Sequence, residues 1–389
     1  VEKLNDVYYI CKTEKWNIAT VLEYDTYGWT AGTEGEIKSG SVNANNYYIY
    51  KDGKWQATSR VEKNLGGCTT AREGEVDKSE NIYYICKSKI WKTATVLEYD
   101  TYGKACLADG SIVSGEVTST NKYVCDAGAF RAANEQEISL NKGCVSYTEG
   151  NEIRKRLSAS QDSLYLCNSS LWITKIEFVG EYGTLTDERD NKTYKTVTIG
   201  TQTWMAENLN YSDNTNYPSM KGRNWCYENK LDSCSKYGRL YTWSAAMDSA
   251  GTFSTNGKGC GYGKACSPTY PVRGICPEGW HLPTTAEFET LFTTVGGDST
   301  AGKMLKSTNG WAANGNGDDS FGFSVLPAGS RFTVSITFTS LGSGAYFWSA
   351  TEYSEGVAYD LLLSYHSENA YLRSAEAKKY ANSVRCVKD

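Results

Sequence analysis

Ala19-Thr20-Val21-Leu22-Glu23-Tyr24-Asp25-Thr26-Tyr27-Gly28 recurs letter for letter at Ala94 to Gly103. An identity of that length within one chain marks a repeat architecture, and the surrounding residues agree. A looser unit contains a Gly-Glu or Glu-Gly pair, then a Tyr-rich run ending in Cys, then an aromatic residue five positions after that Cys. The aromatic markers are Trp16, Trp55, Trp91, Phe130 and Trp172, spaced by 39, 36, 39 and 42 residues. They define a partial repeat over 1–28 and further repeats over 29–66, 67–104, 105–142 and 143–182. Within a repeat, Asn46 to Tyr50 and Lys54 to Thr58 flank Asp52-Gly53, a dipeptide that favours a tight hairpin turn. A turn or short helical segment is expected near Leu22 to Thr26. Strand chemistry recurs at Ile82 to Cys86 and Leu164 to Cys167.

A β-rich unit of about 38 residues buries too little apolar surface to stand alone, so it needs a staple and a neighbour. The cysteines supply the staple. Repeats carry one Cys early and one in the Tyr-rich strand, which pairs Cys68 with Cys86, Cys106 with Cys125 and Cys144 with Cys167. The 29–66 repeat lacks both at once, with Trp29-Thr30 near the early position and Tyr50 at the late one. Joint loss is the behaviour of a bonded pair, whereas independent thiols drop out singly. Closing loops of about 20 residues stabilises each unit by roughly 3 kcal/mol in the chain-entropy model. Cys11 is the late cysteine of a repeat whose early half is expected before Val1. No C-x-x-C occurs, which argues against metal ligation by these sulfurs. The Trp and Tyr side chains of the repeats are expected to form miniature cores rather than carbohydrate platforms.

Composition sets outer limits. The 389 residues carry 40 Lys+Arg against 45 Asp+Glu, a formal net charge of -5, with no basic run to suit nucleic acid. No apolar run approaches the roughly 18 residues of a transmembrane segment. There are two histidines, His281 and His366, so a multi-histidine metal site is excluded. Thirteen cysteines point to disulfides and an oxidising compartment. Every Pro, Met and His lies beyond residue 200, which places a domain boundary near Thr184 to Asp190.

Beyond that boundary, six blocks follow in order: Thr193 to Leu209, Tyr237 to Trp243, Cys276 to Pro283, Phe321 to Gly329, Trp348 to Glu352 and Ser383 to Val387. Together they resemble the Fibrobacter succinogenes major paralogous (FISUMP) domain, a module of bacterial surface and secreted proteins, over residues 183–389. The preceding array is similar to the short Cys-bearing repeats that often stand before such domains. The resemblance implies a C-type-lectin-like fold. The residues themselves suit an α+β layout. Thr284-x-x-Glu287 is a capping box, Phe288, Leu291, Phe292 and Val295 form an apolar stripe at helical spacing, and Gly296 supplies a stop. A second short helix fits Ser299 to Lys306, and Val357 to Tyr365 with Asn369 to Arg373 reads as a hairpin. One long-range bond, Cys276 to Cys386, would tie the entry of the helix to the last strand. Cys226 with Cys234 and Cys260 with Cys266 are local staples by proximity, although these four cysteines allow three connectivities.

His281 sits in Gly279-Trp280-His281-Leu282-Pro283, a structural block of the resembled domain, and no nucleophile motif such as G-x-S-x-G accompanies it. It is expected to pack, and His366 to lie exposed at a hairpin tip. Glu352 and Asp360 are carboxylates with no sequence context that marks a glycosidase pair. Asn314, Asn316, Asp318 and Asp319 cluster oxygen ligands among glycines and are the candidate Ca²⁺ residues, structural rather than ligand-contacting. The triplets by which sugar-binding C-type lectins hold calcium are missing. No other cofactor is expected, and no enzymatic activity. The expected function is that of a non-catalytic adhesion or recognition protein, extracellular or on the outer surface of a bacterium. Its repeat stalk would present a lectin-like head to a glycan or surface protein. The expected contact face runs over Arg331 to Phe347 and Tyr353 to Arg373, with Arg331, Phe332, Tyr346, Tyr353, Tyr365, His366 and Tyr371 as ligand-binding candidates. The alternatives are a homo-oligomeric fibre or surface layer, and an enzyme of the formylglycine-generating type.

Overall fold

The computed structural model describes residues 1–217, 220–332 and 336–389. The chain divides into two compact units, Val1–Asn151 with Leu166–Ile173, and Glu152–Tyr165 with Thr174–Asp389.

In the first unit, four repeats are each a three-stranded antiparallel sheet followed by a short helix. Glu2–Leu4, Val7–Lys12 and Lys15–Ile18 lead to helix Val21–Asp25, and Ile37–Ser39, Tyr47–Lys51 and Lys54–Ala57 lead to Arg60–Leu65. Val76–Ser79, Ile82–Lys87 and Ile90–Thr93 precede helix Val96–Thr101. Ile112–Ser114, Lys122–Asp126 and Ala129–Ala132 precede Glu135–Leu140. Asp52 and Gly53 both take positive φ, 47° and 80°, the geometry that matches the twist of a two-residue hairpin. Helices this short need their ends satisfied, and each carries a full capping box: Thr20/Glu23, Ser59/Glu62, Thr95/Glu98 and Asn134/Glu137. The repeated decamer thus contains its own helix start.

The same decamer carries the joint between repeats. Asp25 is completely buried at the end of its helix. Its carboxylate accepts hydrogen bonds from the backbone N–H groups of Val42 and Asn43, the Asn46 amide and the Tyr48 hydroxyl, all in the next repeat. Asp100 repeats the arrangement with Val117, Thr118, Asn121 and Tyr123. Burial pushes both carboxyls upward, and the hydrogen bonds outweigh it to hold them below the ordinary aspartate value.

Disulfides join Cys68–Cys86, Cys106–Cys125, Cys144–Cys167, Cys226–Cys234, Cys260–Cys266 and Cys276–Cys386, while Cys11 is free and exposed. The indole N–H of Trp91 donates to Gly66, two residues before Cys68, and that of Trp172 to Lys142, two residues before Cys144. In the 29–66 repeat the Trp55 indole donates to Thr30, which identifies Gly32 as the residue at the early cysteine position. A Cβ on Gly32 would stand 3.1 Å from Tyr50 Cβ. Aromatic packing fills the place of the missing bond: Trp29 and Tyr50 meet Trp55 edge-on at 4.8 and 5.3 Å. Trp91 and Trp172 are buried in their repeats, whereas Trp16 in the partial repeat is exposed.

Two larger sheets lie in the second unit. A five-stranded sheet runs in the order Gly183–Asp187, Lys192–Ile199, Gln202–Met205, Val387–Lys388, Trp280–His281. The last strand of the chain therefore lies between two early ones, and Cys276–Cys386 locks that return. The larger sheet runs Asn224–Trp225, Leu240–Thr242, Ala381–Asn382, Ala328–Phe332, Gly344–Ser354, Val357–Ser364, Ala370–Ala377, with Thr337–Leu341 paired to Ala328–Phe332. Helix Thr285–Thr294 starts at the Thr284/Glu287 capping box and buries Phe288, Leu291 and Phe292. Helix Asp298–Leu305 follows, burying Ala301 and Leu305, with Met304 half-buried. Their apolar faces share one core with Trp204, Phe323, Phe347 and Leu361. A second core gathers Trp243, Trp348, Tyr241 and the Cys276–Cys386 bridge.

Candidate functional site

A cleft of about 630 Å³ opens in the second unit. One wall is strand Lys192–Ile199, which contributes Lys192, Thr193, Tyr194 and Lys195. Ala206 to Asn210 crosses the base, Ser235 and Lys236 stand on helix Leu231–Tyr237, and Ser307 to Asn309 with Asp319 and Ser324 close the far side. The size suits a small ligand.

Arg385 lies at the floor and is 2 % exposed. Its position follows from the chain return, since Cys386 beside it is bonded to Cys276. Nε donates to Asn208 Oδ1 at 2.8 Å, Nη1 to the Phe323 carbonyl, and Nη2 to the Ser324 carbonyl at 3.2 Å. The guanidinium also faces the Phe323 and Phe347 rings, 4.6 and 5.4 Å from their centroids. Among the described residues no carboxylate pairs with it directly. Burial lowers its pKa to about 9 against the more distant attraction of Asp319 and Glu207.

The neighbouring polar groups are held by the fold. Asn208 directs its amide N–H groups to the Tyr237 carbonyl and the Ser383 hydroxyl. Asp319 accepts from the Ser324 N–H at 2.7 Å and from its hydroxyl, while burial pushes its carboxyl upward. Tyr182 and Ser324 share a hydroxyl contact of 3.1 Å. Glu207 accepts the Lys195 backbone N–H at 2.7 Å, and Lys192 Nζ donates to the Asn210 carbonyl at 2.7 Å. Asn210 Oδ1 is buried and has no hydrogen-bond partner among the described residues.

The residues expected to bind ligand fall in several places. Tyr346 and Tyr371 lie on one face of the sheet, on either side of Leu362. Arg373 reaches over the Tyr346 ring at 5.2 Å and pairs with Asp360 and Glu376 through Nη2 at 2.6 and 2.9 Å. Burial raises the Asp360 carboxyl to about 7 despite that arginine. Arg331 is buried between Trp225 and Phe338, 3.9 and 5.5 Å from their rings, and Phe332 packs on Tyr380 at 4.6 Å. Tyr353 is exposed and meets Tyr359 edge-on at 5.7 Å. Tyr365 meets the exposed His366 in a tilted contact with centroids 3.6 Å apart, in the turn before strand Ala370–Ala377. Residues 333–335 of the expected face lie outside the described residues.

His281 is buried, with Nδ1 2.7 Å from Asp389 and Nε2 2.6 Å from Glu287, the acid of the capping box. Burial works against its protonation, and the two carboxylates prevail to raise its pKa. Glu352 is paired with the buried Lys378. Of the candidate calcium residues, Asn316 Oδ1 accepts the Trp311 N–H at 3.0 Å, Asp319 belongs to the cleft, Asn314 is exposed and Asp318 half-buried. Among the described residues the His/Cys/Asp/Glu groups close enough to hold a metal are Cys106–Asp109–Cys125 and Cys144–Glu149–Cys167. Their sulfurs are joined as disulfides and offer no thiolate.

Sequence reasoning passed over Arg385 and Asn208. Both stand in quoted blocks, and the available signal was a charged residue directly beside the long-range cysteine. Residues 197–388 match the model of the Fibrobacter succinogenes major domain. No curated protein and no solved structure gives a significant match.

Proposed function

With residues 197–388 carrying the Fibrobacter succinogenes major domain, we propose that this chain is a non-catalytic extracellular recognition protein whose C-terminal domain seats a saccharide in the Arg385 cleft. The carrying observation is the lining: asparagines, serines and threonines at 191, 193, 208, 210, 235, 307, 308, 309 and 324 surround the space with amide and hydroxyl groups. Such groups exchange hydrogen bonds with a hydroxyl-rich ligand, and the half-buried Tyr182 adds aromatic surface for a ring face. Six disulfides suit an oxidising, extracellular setting, and no helix among the described residues is long and apolar enough to cross a membrane. The early helices, late strands and adjacent domain ends support the lectin-like reading of the fold. The repeats serve as the stalk of a bacterial surface protein, each buried aspartate fastening one repeat to the next.

The test is glycan-array screening of the full chain followed by calorimetry. Ser235→Trp, a bulky change at an exposed cleft position, should abolish binding of the saccharide found, while Tyr353→Ala leaves it intact. Absence of any glycan ligand, or undiminished binding by Ser235→Trp, would refute the reading.

A further inference from the structure

The charge of the cleft narrows the ligand class, an inference that rests on the saccharide reading above. Lys195, Lys236 and Arg385, with Lys192 already paired to Asp190 at 2.9 Å, line it against two carboxylates, Glu207 and Asp319, in a chain whose formal net charge is -5. Both carboxylates are engaged elsewhere: Glu207 with the Lys195 N–H, and Asp319 with the Ser324 N–H and hydroxyl. Among the described residues, Arg385 is therefore bonded only to a side-chain amide and two carbonyls. A buried charge is stable when an opposite charge completes its surroundings, and neutral acceptors supply only part of that stabilisation. Guanidinium binds oxyanions in planar, charge-assisted geometry, and lysines around a rim raise the local concentration of anions. Asn210 Oδ1, buried and unpartnered among the described residues, adds an acceptor for a ligand hydroxyl.

We propose that the Arg385 cleft selects an acidic saccharide, placing a ligand oxyanion toward the guanidinium and ligand hydroxyls against the Asn208 and Asn210 side of the cleft. Carboxylate and sulfate share this chemistry, so uronate and sulfated sugars are the two sources to separate.

Calorimetry on the full chain would compare a galacturonate trimer, a sulfated galactose trimer and a neutral galactose trimer. One of the acidic trimers should bind at least about tenfold tighter than the neutral one, and the advantage should shrink as salt rises through roughly 0.05–0.3 M. Lys195→Gln with Lys236→Gln, both at exposed positions that leave the core intact, should cut the acidic-over-neutral affinity ratio by roughly fivefold or more. Arg385→Gln should remove the preference, and its thermal unfolding curve reports whether the domain still folds. Equal affinity for all three trimers, or a preference indifferent to the lysine pair, would overturn the acidic assignment while leaving saccharide binding standing. If no trimer binds and the glycan array is also blank, both readings fall.

Discussion

The Tyr48 hydroxyl donates to the Asp25 carboxylate at 2.7 Å, and the two residues belong to successive repeats. The same bond joins Tyr123 to Asp100 at 2.8 Å. Asp100→Ala leaves that hydroxyl, the Asn121 amide and two backbone N–H groups without their acceptor, and should destabilise the array by about 1–3 kcal/mol in urea unfolding. Both aspartates are held below their ordinary value, so their contribution is complete above the unfolded aspartate pKa of about 3.9. It is lost as pH falls through the depressed folded values. The wild-type array should therefore weaken steeply in that acid range, and Asp25→Asn with Asp100→Asn should flatten the dependence.

Gly32 and Tyr50 occupy the two positions at which a neighbouring repeat carries Cys68 and Cys86, with the same separation of 18 residues. Gly32→Cys with Tyr50→Cys should oxidise to a disulfide as Glu36 and Trp55, 2.7 and 2.8 Å from a Cβ at Gly32, shift aside and the 3.1 Å Cβ separation relaxes toward the roughly 3.5–4.5 Å of such bonds. Alkylation of the native double variant followed by mass spectrometry should find Cys11 as the labelled thiol. Two further labelled thiols would show that the repeat does not share the stapled geometry.

Cys276–Cys386 spans 110 residues and Cys260–Cys266 spans 6. Loop-closure entropy gives the long bond roughly 4–5 kcal/mol, so Cys276→Ser with Cys386→Ser should lower the unfolding free energy by about that amount. Cys260→Ser with Cys266→Ser should have a smaller effect. Tryptophan fluorescence in urea measures both, because Trp204, Trp243 and Trp348 are fully buried in this unit.

His281 joins Glu287 at the start of a helix to Asp389 near the end of the chain. Its pKa is raised in the folded protein, so the imidazolium stabilises the fold fully below the unfolded value of about 6.5. That contribution disappears as pH climbs through the folded value. NMR titration of the imidazole should place its midpoint above 6.5, and His281→Gln should be less stable than wild type at pH 5 with a narrower gap at pH 9. A midpoint at or below 6.5 would contradict the double ion pair.

Much of the fold was legible because its signals are short-range. Hairpin turns at Asp52-Gly53, the Thr284/Glu287 cap and the apolar stripe through Phe288 and Leu291 are each written within a few residues, where sterics and hydrogen-bond spacing decide conformation. The repeat pairing of cysteines was legible for another reason: copies of one unit served as comparisons, and joint absence marked the bonded positions. The tyrosines were less informative. Strand alternation tells which residues share a face within one hairpin, as with Tyr346 and Leu362. It does not tell which aromatic of another segment will cover a side chain, and Arg331 lies under Trp225 for that reason.

The sequence by itself determined the repeat array, the cysteine staples within it and the helix starts, because each depends on residues close together along the chain. Only the tertiary structure decided the cleft. Arg385 and Asn208 are 177 residues apart, and nothing local to either indicates the bond between them. Their meeting depends on the last strand entering a sheet built from early ones, which removes a guanidinium from water and leaves its surroundings to be completed by whatever enters the space above it.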